Sequence, residues 1–176
     1  MNAIIDWFLV WWLRSGRYLW STVRRRLFER RYLSTALPTV GSLEEVEPCL
    51  NQVKWTMDGP FHLFDCISYP QTTWVKKKDD CDGFASLAAA LITQYYPNSN
   101  PVLVTVMVRP IRSSHTVCAF RTSQETLCFF DNDRLRGENC KKYEDIIPLV
   151  TKNTKRLIAW DVRNPATFEM VEFHKM

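Results

Sequence analysis

The sequence predicts an α+β fold, and three observations lead to that prediction. Helical patterns fill the first half of the chain, β-branched and aromatic runs separated by turn residues follow residue 100, and no internal repeat is present. The 176 residues, of which 46% are apolar and 24% charged, are sufficient for one hydrophobic core. Helices followed by a mostly antiparallel sheet are typical of the α+β class.

Residues 1–33 form the first predicted element, an amphipathic helix rich in tryptophan and arginine. Residues 3–13 are almost all apolar, but about twenty residues are needed to span a bilayer. Basic residues follow this stretch and no small-residue cleavage site is evident, so it does not resemble a signal peptide. On a helical wheel one face carries Phe8, Trp12, Leu19, Val23 and Leu27. The opposite side carries Arg14, Arg17, Arg24 and Arg25.

Positive charge is concentrated in this helix. The formal net charge is +4, and residues 1–33 contribute +5, from seven arginines against Asp6 and Glu29. A basic patch at one terminus indicates a local partner. Three alternatives stay open: the helix docks on the protein's own core or a sister subunit, it lies in a membrane interface, or, least favoured, it binds nucleic acid.

A linker and a second group of helices come next. Residues 34–41 are rich in turn formers and are interpreted as a linker to a domain that covers residues 42–176. Ser42 and Glu45 form a capping-box pattern, which predicts that a short helix begins there. The stretch 55–70 is expected to be irregular, because it contains glycine and prolines without periodicity.

A strong helix and a set of strands complete the predicted domain. Asp79 or Asp80 can cap a helix whose alanine- and leucine-rich body ends before Pro97. Four strands are predicted over residues 101–110, 114–122, 125–133 and 156–163. A hairpin joins the second and third strands, a short helix covers residues 142–150, and residues 168–175 add an edge strand.

The six cysteines predict neither a zinc site nor a disulfide framework. None forms a CxxC pair, and the histidine spacings do not fit zinc. Cys118 and Cys128 lie in apolar runs and are interpreted as core residues. A reduced, intracellular protein is therefore the simpler expectation.

Cys81 is the candidate nucleophile, because it falls in the first turn of the strong helix. The free N–H groups and partial positive charge of a helix N-terminus favour a thiolate. The neighbouring Asp79, Asp80 and Asp82 oppose it, so a nearby imidazolium would have to offset their charge. Taken alone, a cysteine at a helix start is more often structural than catalytic.

His115 is the candidate base. The chain has three histidines, His62, His115 and His174. Only His115 begins a predicted strand, where a regular backbone can hold it against a helix end. Asp131 ends the next strand and is the candidate that orients the imidazole, with Asp133 as the fallback and Asn132 as an amide alternative.

Four segments together resemble a known family, the transglutaminase-like cysteine peptidases of bacteria and phages. The run DCDGFA at residues 80–85 resembles the family signature G-D-C-[DE]-[DG]-[FY]-A. SSHTVCAF resembles its G-H-x-V-L strand, FDN resembles its L-D-N, and SYPQTTWVKKKDDC is similar to its Y-x-x-P-x-E-T-W segment. The resemblance covers roughly residues 42–135 and keeps the three elements in order.

The resemblance implies a papain-like fold, in which the helix with Cys81 packs on an antiparallel sheet that carries His115 and Asp131. It implies an oxyanion hole formed by the Cys81 N–H and an upstream donor, for which Gln71 and Trp74 are the candidates. The sequence departs from the family at Asp79 and Ser114, where the family has glycine.

Calcium is the one cofactor that the resemblance brings up. Some relatives bind it with acids that flank the cysteine, and Asp80 and Asp82 match those positions. Two carboxylates alone make a weak calcium site, so helix capping is the preferred interpretation of both and no cofactor is the main expectation.

Two function classes follow. The first is a thiol peptidase or amidase acting on a protein or peptide substrate through a thioester, with transfer to an amine as a variant. The second is a virion or membrane-associated interaction protein of phage type that retains the fold and is anchored by its N-terminal helix. The expected location is the cytoplasm or a membrane surface of a bacterial host, or a virion.

Overall fold

A six-stranded antiparallel sheet forms the centre of the computed structural model, which describes residues 2–57, 66–151 and 156–176. Two short parallel strands, β1 (Lys54–Trp55) and β2 (Lys78–Asp79), lie outside it. The strands of the large sheet are β3 (Val102–Arg109), β4 (His115–Arg121), β5 (Leu127–Asp131), β6 (Arg134–Cys140), β7 (Arg156–Arg163) and β8 (Met170–Lys175). Their order across the sheet is β6-β5-β4-β3-β7-β8.

Helices cover both faces of this sheet. The N-terminal helix (residues 2–32) is continuous and consists of α1 (Asn2–Trp11), a π turn (Trp12–Gly16), α2 (Arg17–Arg24), a second π turn (Arg25–Glu29) and a 3₁₀ turn (Arg30–Tyr32). The remaining helices are α3 (Val46–Leu50), α4 (Pro70–Lys76), α5 (Cys81–Tyr95) and α6 (Tyr143–Thr151). Among the described residues, no helix combines the length and apolarity needed to cross a bilayer.

The side-chain alternation along β4 divides the hydrophobic core into two layers. Cys118 and Phe120 belong to the layer that contains the α5 side chains. Val117 and Ala119 face the other way, into the layer that contains Ile146 of α6. Successive residues of a strand point to opposite faces, so one strand supplies both layers. The architecture is α+β, as the sequence predicts.

The N-terminal helix docks on this body through every fourth residue. Its buried stripe consists of Leu9, Leu13, Arg17, Ser21, Arg25 and Glu29. Three of these six side chains are charged in water, whereas Leu19 and Leu27, on the predicted apolar face, are each 70% exposed. The helix therefore packs on the protein's own core, which is one of the predicted alternatives, but the exposed and buried faces are largely the reverse of an ordinary amphipathic helix.

The two π turns explain how an every-fourth stripe can stay on one face. A regular α-helix turns about 100° per residue, so such positions drift by roughly 200° between residues 9 and 29. Each π turn accommodates one extra residue and so reduces this angular drift by about 100°. The turns at Trp12–Gly16 and Arg25–Glu29 together cancel the drift.

Most predicted elements are confirmed, and the misses share one property. The structure contains the strong helix, the four strands, the hairpin, the helix near residue 145 and the edge strand. The unpredicted elements are α4, β6 and the short pair β1–β2, which have weak apolar periodicity because only part of each is buried. At the predicted capping box, the Glu45 carboxylate accepts the Gly41 N–H at 2.7 Å, while Ser42 caps nothing with its side chain.

Candidate active site

Cys81 is the first residue of α5, and its side chain is buried. The preceding Asp80 caps the helix, because its carboxylate accepts the backbone N–H of Asp82 at 3.2 Å. α5 runs for 15 residues from this point, so the thiol lies at the positive end of a full-length helix dipole. The local sequence explains the geometry: an aspartate cap is followed by small and apolar helix formers.

His115 and Asp131 form a hydrogen-bonded pair. The first residue of β4 and the last residue of β5 lie at the same end of two antiparallel strands. His115 Nε2 lies 2.7 Å from Asp131 Oδ1, with both side chains about three-quarters buried. Arg136 Nε lies 3.3 Å from the other oxygen of Asp131. The Asp131 carboxylate is held from two sides, which fixes the direction in which it meets the imidazole.

Cys81 and His115 line the same small cavity. The cavity holds about 30 Å³, enough for one or two water molecules and not for a peptide. Four residues of the N-terminal helix line it as well: Leu9, Trp12, Leu13 and Arg17. The helix therefore covers the cavity that the candidate nucleophile and base both line.

Three acids surround the start of α5. Asp79, Asp80 and Asp82 are all buried, and one carboxylate oxygen of each lies within 4.8 Å of the others. Thr73 of α4 donates its hydroxyl hydrogen to Asp79 at 2.6 Å. A Cβ on Gly83 would overlap the Asp79 side chain, so the glycine permits the aspartate to pack against the helix.

Arg17, which the sequence placed on the polar side of the first helix without a link to the site, lies beside the start of α5. Its guanidinium lies 2.6 Å from the Asp82 carboxylate and donates to the hydroxyls of Thr105 and Thr116 at 3.2 and 3.3 Å. Both partners of the ion pair are almost fully buried. The charge of Asp82 is thus balanced by an arginine of the N-terminal helix, so offsetting the acids near Cys81 does not depend on His115 alone.

A second arginine of the buried stripe reinforces this attachment. Arg25 donates to the backbone carbonyls of Ile67 and Ser68 at 2.9 and 2.6 Å, and burial lowers its pKa to about 10. Glu29 accepts from the Tyr69 N–H and the Thr72 hydroxyl at 2.9 and 3.1 Å. These polar residues repeat at every fourth position with Leu9 and Leu13, but this spacing shares one face only because of the two π turns, so the sequence alone does not reveal the buried face.

The two residues predicted for the oxyanion hole lie on α4. Gln71 and Trp74 are half-buried, and neither is among the residues that line the cavity shared by Cys81 and His115. Trp74 packs against the core layer on the α5 side and beneath the Lys77 ammonium group. Their part in an oxyanion hole stays a prediction.

A cation site at Asp80 and Asp82 has a partial structural basis. With Asp79 they form a buried cluster of carboxylates, the ligand type that calcium prefers. One oxygen of Asp82 is engaged by Arg17, and one oxygen of Asp80 caps α5. These contacts agree with helix capping and leave calcium binding as a prediction.

The other histidines and cysteines are placed apart from this arrangement or outside the described residues. His174 stacks on Trp160 of β7 with ring centroids 4.1 Å apart, and His62 lies outside the described residues. Asp133 and Asn132 follow β5, and neither makes the contact with His115 that Asp131 makes. Burial raises the pKa of Cys49, Cys118 and Cys140, which makes these thiols poor competitors for an electrophile.

Comparisons with known proteins include a weak structural likeness. No family model matches the chain, and no curated protein matches its sequence. Among solved structures, LapG of Legionella pneumophila, in an EGTA-treated form, is 15% identical over 76% of this chain and 69% of its own, with a TM-score of 0.47. A TM-score below 0.5 at this identity does not establish a shared fold.

Proposed function

We propose that this chain is a transglutaminase-like cysteine peptidase or amidase with a papain-like catalytic domain. Cys81 is the nucleophile, His115 its base and Asp131 the residue that orients the histidine. The observation that supports this most is the His115–Asp131 hydrogen bond of 2.7 Å beside a cavity that Cys81 also lines. A protein or peptide amide is the substrate class that this chemistry suits.

The order of events follows from the two ring nitrogens of His115. Nε2 faces the Asp131 carboxylate, so it carries the hydrogen and Nδ1 is the nitrogen that takes the thiol proton. The thiolate sulfur then bonds to the amide carbon, and the C–N bond breaks as His115 returns the proton to the leaving amine. Water, deprotonated by the same histidine, releases the acid from the thioester and restores the thiol.

Arg17 supports this chemistry without touching the substrate. Three buried carboxylates near a thiol would favour the protonated thiol by like-charge repulsion. The ion pair of Arg17 with Asp82 removes one of these charges from the balance. Arg17 is therefore a positioning and charge-balancing residue in this proposal.

Selective alkylation tests the proposed nucleophile. The full chain is treated with iodoacetamide at about pH 6, where an ordinary thiol is less than about 1% ionised. Mass spectrometry then maps the labelled cysteines over time. We expect Cys81 to be labelled at least about tenfold faster than the other five, because a thiolate–imidazolium pair persists at that pH.

Two variants control for the base and for access. His115→Ala should remove the fast labelling of Cys81, whereas His174→Ala, a half-exposed histidine on another strand, should leave it unchanged. Leu13→Ala loosens the cover that the N-terminal helix forms over the cavity, and the same measurement on this variant tests Cys81 with easier access for the reagent. If Cys81 reacts no faster than the other cysteines in both the native and the Leu13→Ala chain, it is not an activated nucleophile.

A second candidate function is a non-catalytic interaction protein that retains the fold. The cover over the cavity favours it, because a chain that never admits a substrate has no need of an open cleft. Fast labelling of Cys81 without hydrolysis or transamidation of any member of a casein- and peptide-based panel, also in the Leu13→Ala chain, would support this alternative. Turnover of any panel member that is lost in Cys81→Ala would rule it out.

A calcium site at Asp80 and Asp82 stays a prediction within this proposal. Calcium that binds the folded state raises the unfolding midpoint in proportion to the logarithm of its concentration. The matched measurement compares calcium, magnesium and a chelator on the same protein. An unchanged midpoint across the three conditions would leave helix capping as the role of both acids.

A further inference from the structure

The outward side of the N-terminal helix carries an apolar ridge. Opposite the buried stripe, every fourth position from residue 7 to residue 27 is apolar except Ser15. The apolar ridge consists of Trp7, Trp11, Leu19, Val23 and Leu27. The exposed fraction of these side chains lies between 37% and 70%, so they are not covered by the protein's own fold. Exposed apolar surface of this extent marks an interaction site.

The two flanks of the apolar ridge differ in chemistry. One flank adds further exposed aromatic side chains, Phe8, Trp20 and Phe28. The other flank carries exposed arginines, Arg14, Arg26 and Arg30, and Arg31 ends the ridge itself. Tryptophan and phenylalanine beside a row of arginines is the composition of helices that lie in the interface of a membrane.

The acids of this helix do not balance the exposed arginines. Only Asp6 and Glu29 are acidic within residues 1–33. The Asp6 carboxylate bonds to Arg109 at 2.8 Å and to Arg156 at 3.3 Å, both outside the helix. Glu29 is buried against the backbone of Tyr69. The exposed surface of the helix therefore keeps an excess of positive charge, which is complementary to an anionic surface.

We infer that the apolar ridge and its arginine flank dock the protein onto an anionic lipid surface. The helix lies along the surface with the ridge among the acyl chains and the arginines at the phosphates. The buried stripe fixes the helix to the catalytic domain, so the body is held beside the membrane rather than tethered by a flexible arm. This inference does not depend on the chemistry of Cys81.

A second copy of the chain is a poorer occupant of this surface. Two ridges packed on each other would bring arginine flanks together, and no acid on the exposed side of the helix is there to separate them. Like charges that face each other across an interface cost free energy that the apolar contact would have to offset. A lipid surface satisfies both the apolar ridge and the arginines at once.

Co-sedimentation with vesicles tests the inference on the full chain. Phosphatidylcholine vesicles with about 30% phosphatidylglycerol are compared with pure phosphatidylcholine at about 0.1 M salt. We expect binding to the anionic vesicles and at least about tenfold weaker binding to the neutral ones. Bromine-labelled acyl chains should quench tryptophan fluorescence on binding, because three of the exposed indoles enter the membrane.

The ridge variant replaces three outer apolar residues by a good helix former. Leu19→Gln/Val23→Gln/Leu27→Gln should weaken binding to anionic vesicles by at least about tenfold, because less apolar surface can leave water. The matched control places the same change on exposed apolar residues elsewhere: Leu135→Gln, Leu149→Gln and Val171→Gln. The control should bind as the native chain does.

The charge variant removes three arginines of the exposed surface. Arg26→Gln/Arg30→Gln/Arg31→Gln should weaken anionic-vesicle binding by roughly fivefold for each arginine and leave neutral-vesicle binding unchanged. Its control removes three exposed lysines on other elements: Lys141→Gln, Lys142→Gln and Lys175→Gln. A control that weakens binding as much as the charge variant would indicate net charge rather than this surface, and would overturn the inference.

Two further outcomes would also overturn the inference that the apolar ridge docks onto an anionic lipid surface. One is native protein that stays in the supernatant with anionic vesicles. The other is sedimentation equilibrium that finds a dimer in the native chain and a monomer in the ridge variant, with equal vesicle binding by both. That result would assign the apolar ridge to a second copy of the chain.

Discussion

The N-terminal helix and α5 both line or adjoin the cavity at Cys81, but they bury different kinds of side chain. α5 buries alanine, leucine and phenylalanine on nearly every side, and its buried polar residues, Asp82 and Ser86, lie in its first two turns. The N-terminal helix buries Arg17, Arg25 and Glu29 while it exposes tryptophans and leucines. Both helices are well packed on the same body, so hydrophobicity alone does not decide which face of a helix is buried.

The surface under each helix explains the difference. α5 lies against the sheet, α3 and α4, which present apolar side chains, so most of its buried surface meets hydrocarbon. The N-terminal helix lies over the buried carboxylate of Asp82 and the backbone carbonyls of Ile67 and Ser68. Buried acceptors require donors, and arginine supplies five of them in a fixed geometry. The helix that covers this surface must therefore bury its polar side.

The largest expected effect comes from removing the buried arginine. Arg17→Met leaves the Asp82 carboxylate buried without its guanidinium, and we expect the free energy of unfolding to fall by about 3–5 kcal/mol. Arg14→Met, an exposed arginine less than one turn away, should change it by less than about 0.5 kcal/mol. Urea unfolding of the three chains measures this difference. Equal stability of the two variants would mean that the buried ion pair does not hold the helix in place.

The buried stripe and the apolar ridge of the N-terminal helix can be compared with the same substitution, leucine to alanine. Leu13→Ala, at a fully buried position, should lower the free energy of unfolding by about 2–5 kcal/mol. Leu19→Ala, at a position 70% exposed, should lower it by less than about 0.5 kcal/mol. Since Leu13 also lines the cavity with Cys81, its truncation should speed alkylation of that thiol, and Leu19→Ala should not. A larger loss from Leu19 than from Leu13 would reverse the assignment of the two faces.

A pH titration tests a buried polar contact of the N-terminal helix, the one between Tyr18 and Asp161. The Tyr18 hydroxyl lies 2.9 Å from both oxygens of Asp161, and burial raises the pKa of Asp161 to about 6. The folded state therefore binds this proton more tightly than the unfolded state does. The contribution of Asp161 to stability is complete below about pH 4 and is lost as the pH rises through about 6.

The expected size of this loss is roughly 3 kcal/mol, from a pKa difference of about two units. The measurement is the free energy of unfolding between about pH 4 and about pH 7 for the native chain and for Asp161→Asn. The difference in unfolding free energy between the native chain and Asp161→Asn should decrease as the pH rises through this range and stay constant at higher pH. Parallel curves would show that the proton is bound equally tightly in the folded and unfolded states.

The smallest effect tests how closely α5 is packed at its start. Gly83→Ala adds a methyl group where the Asp79 side chain lies, and we expect a loss of about 1–3 kcal/mol in unfolding free energy. Gly41→Ala, where the nearest atom to the added Cβ is 3.7 Å away, should cost less than about 0.5 kcal/mol. Thermal unfolding of both variants measures the contrast. Similar midpoints would indicate that Asp79 moves aside at little cost.

The sequence predicted those elements whose periodicity is strong. The apolar run after Cys81 and the β-branched runs of β3 and β4 carry enough signal to define their type and approximate bounds. β6 alternates weakly, because it is an edge strand with exposed side chains, and it was missed for that reason. The hydrogen bond between His115 and Asp131 joins two residues that the order of the elements had already singled out.

By itself the sequence determined the α+β class, the start of α5 at Cys81 and the two strands that carry His115 and Asp131. These follow from local propensity and from alternation, which each segment carries in its own residues. Only the tertiary structure decided which face of the N-terminal helix is buried, and that Arg17 pairs with Asp82 while the same helix covers the cavity at Cys81. The physical reason is that burial of a charged side chain depends on a partner distant in sequence, 65 residues away in this case, and no local pattern contains it.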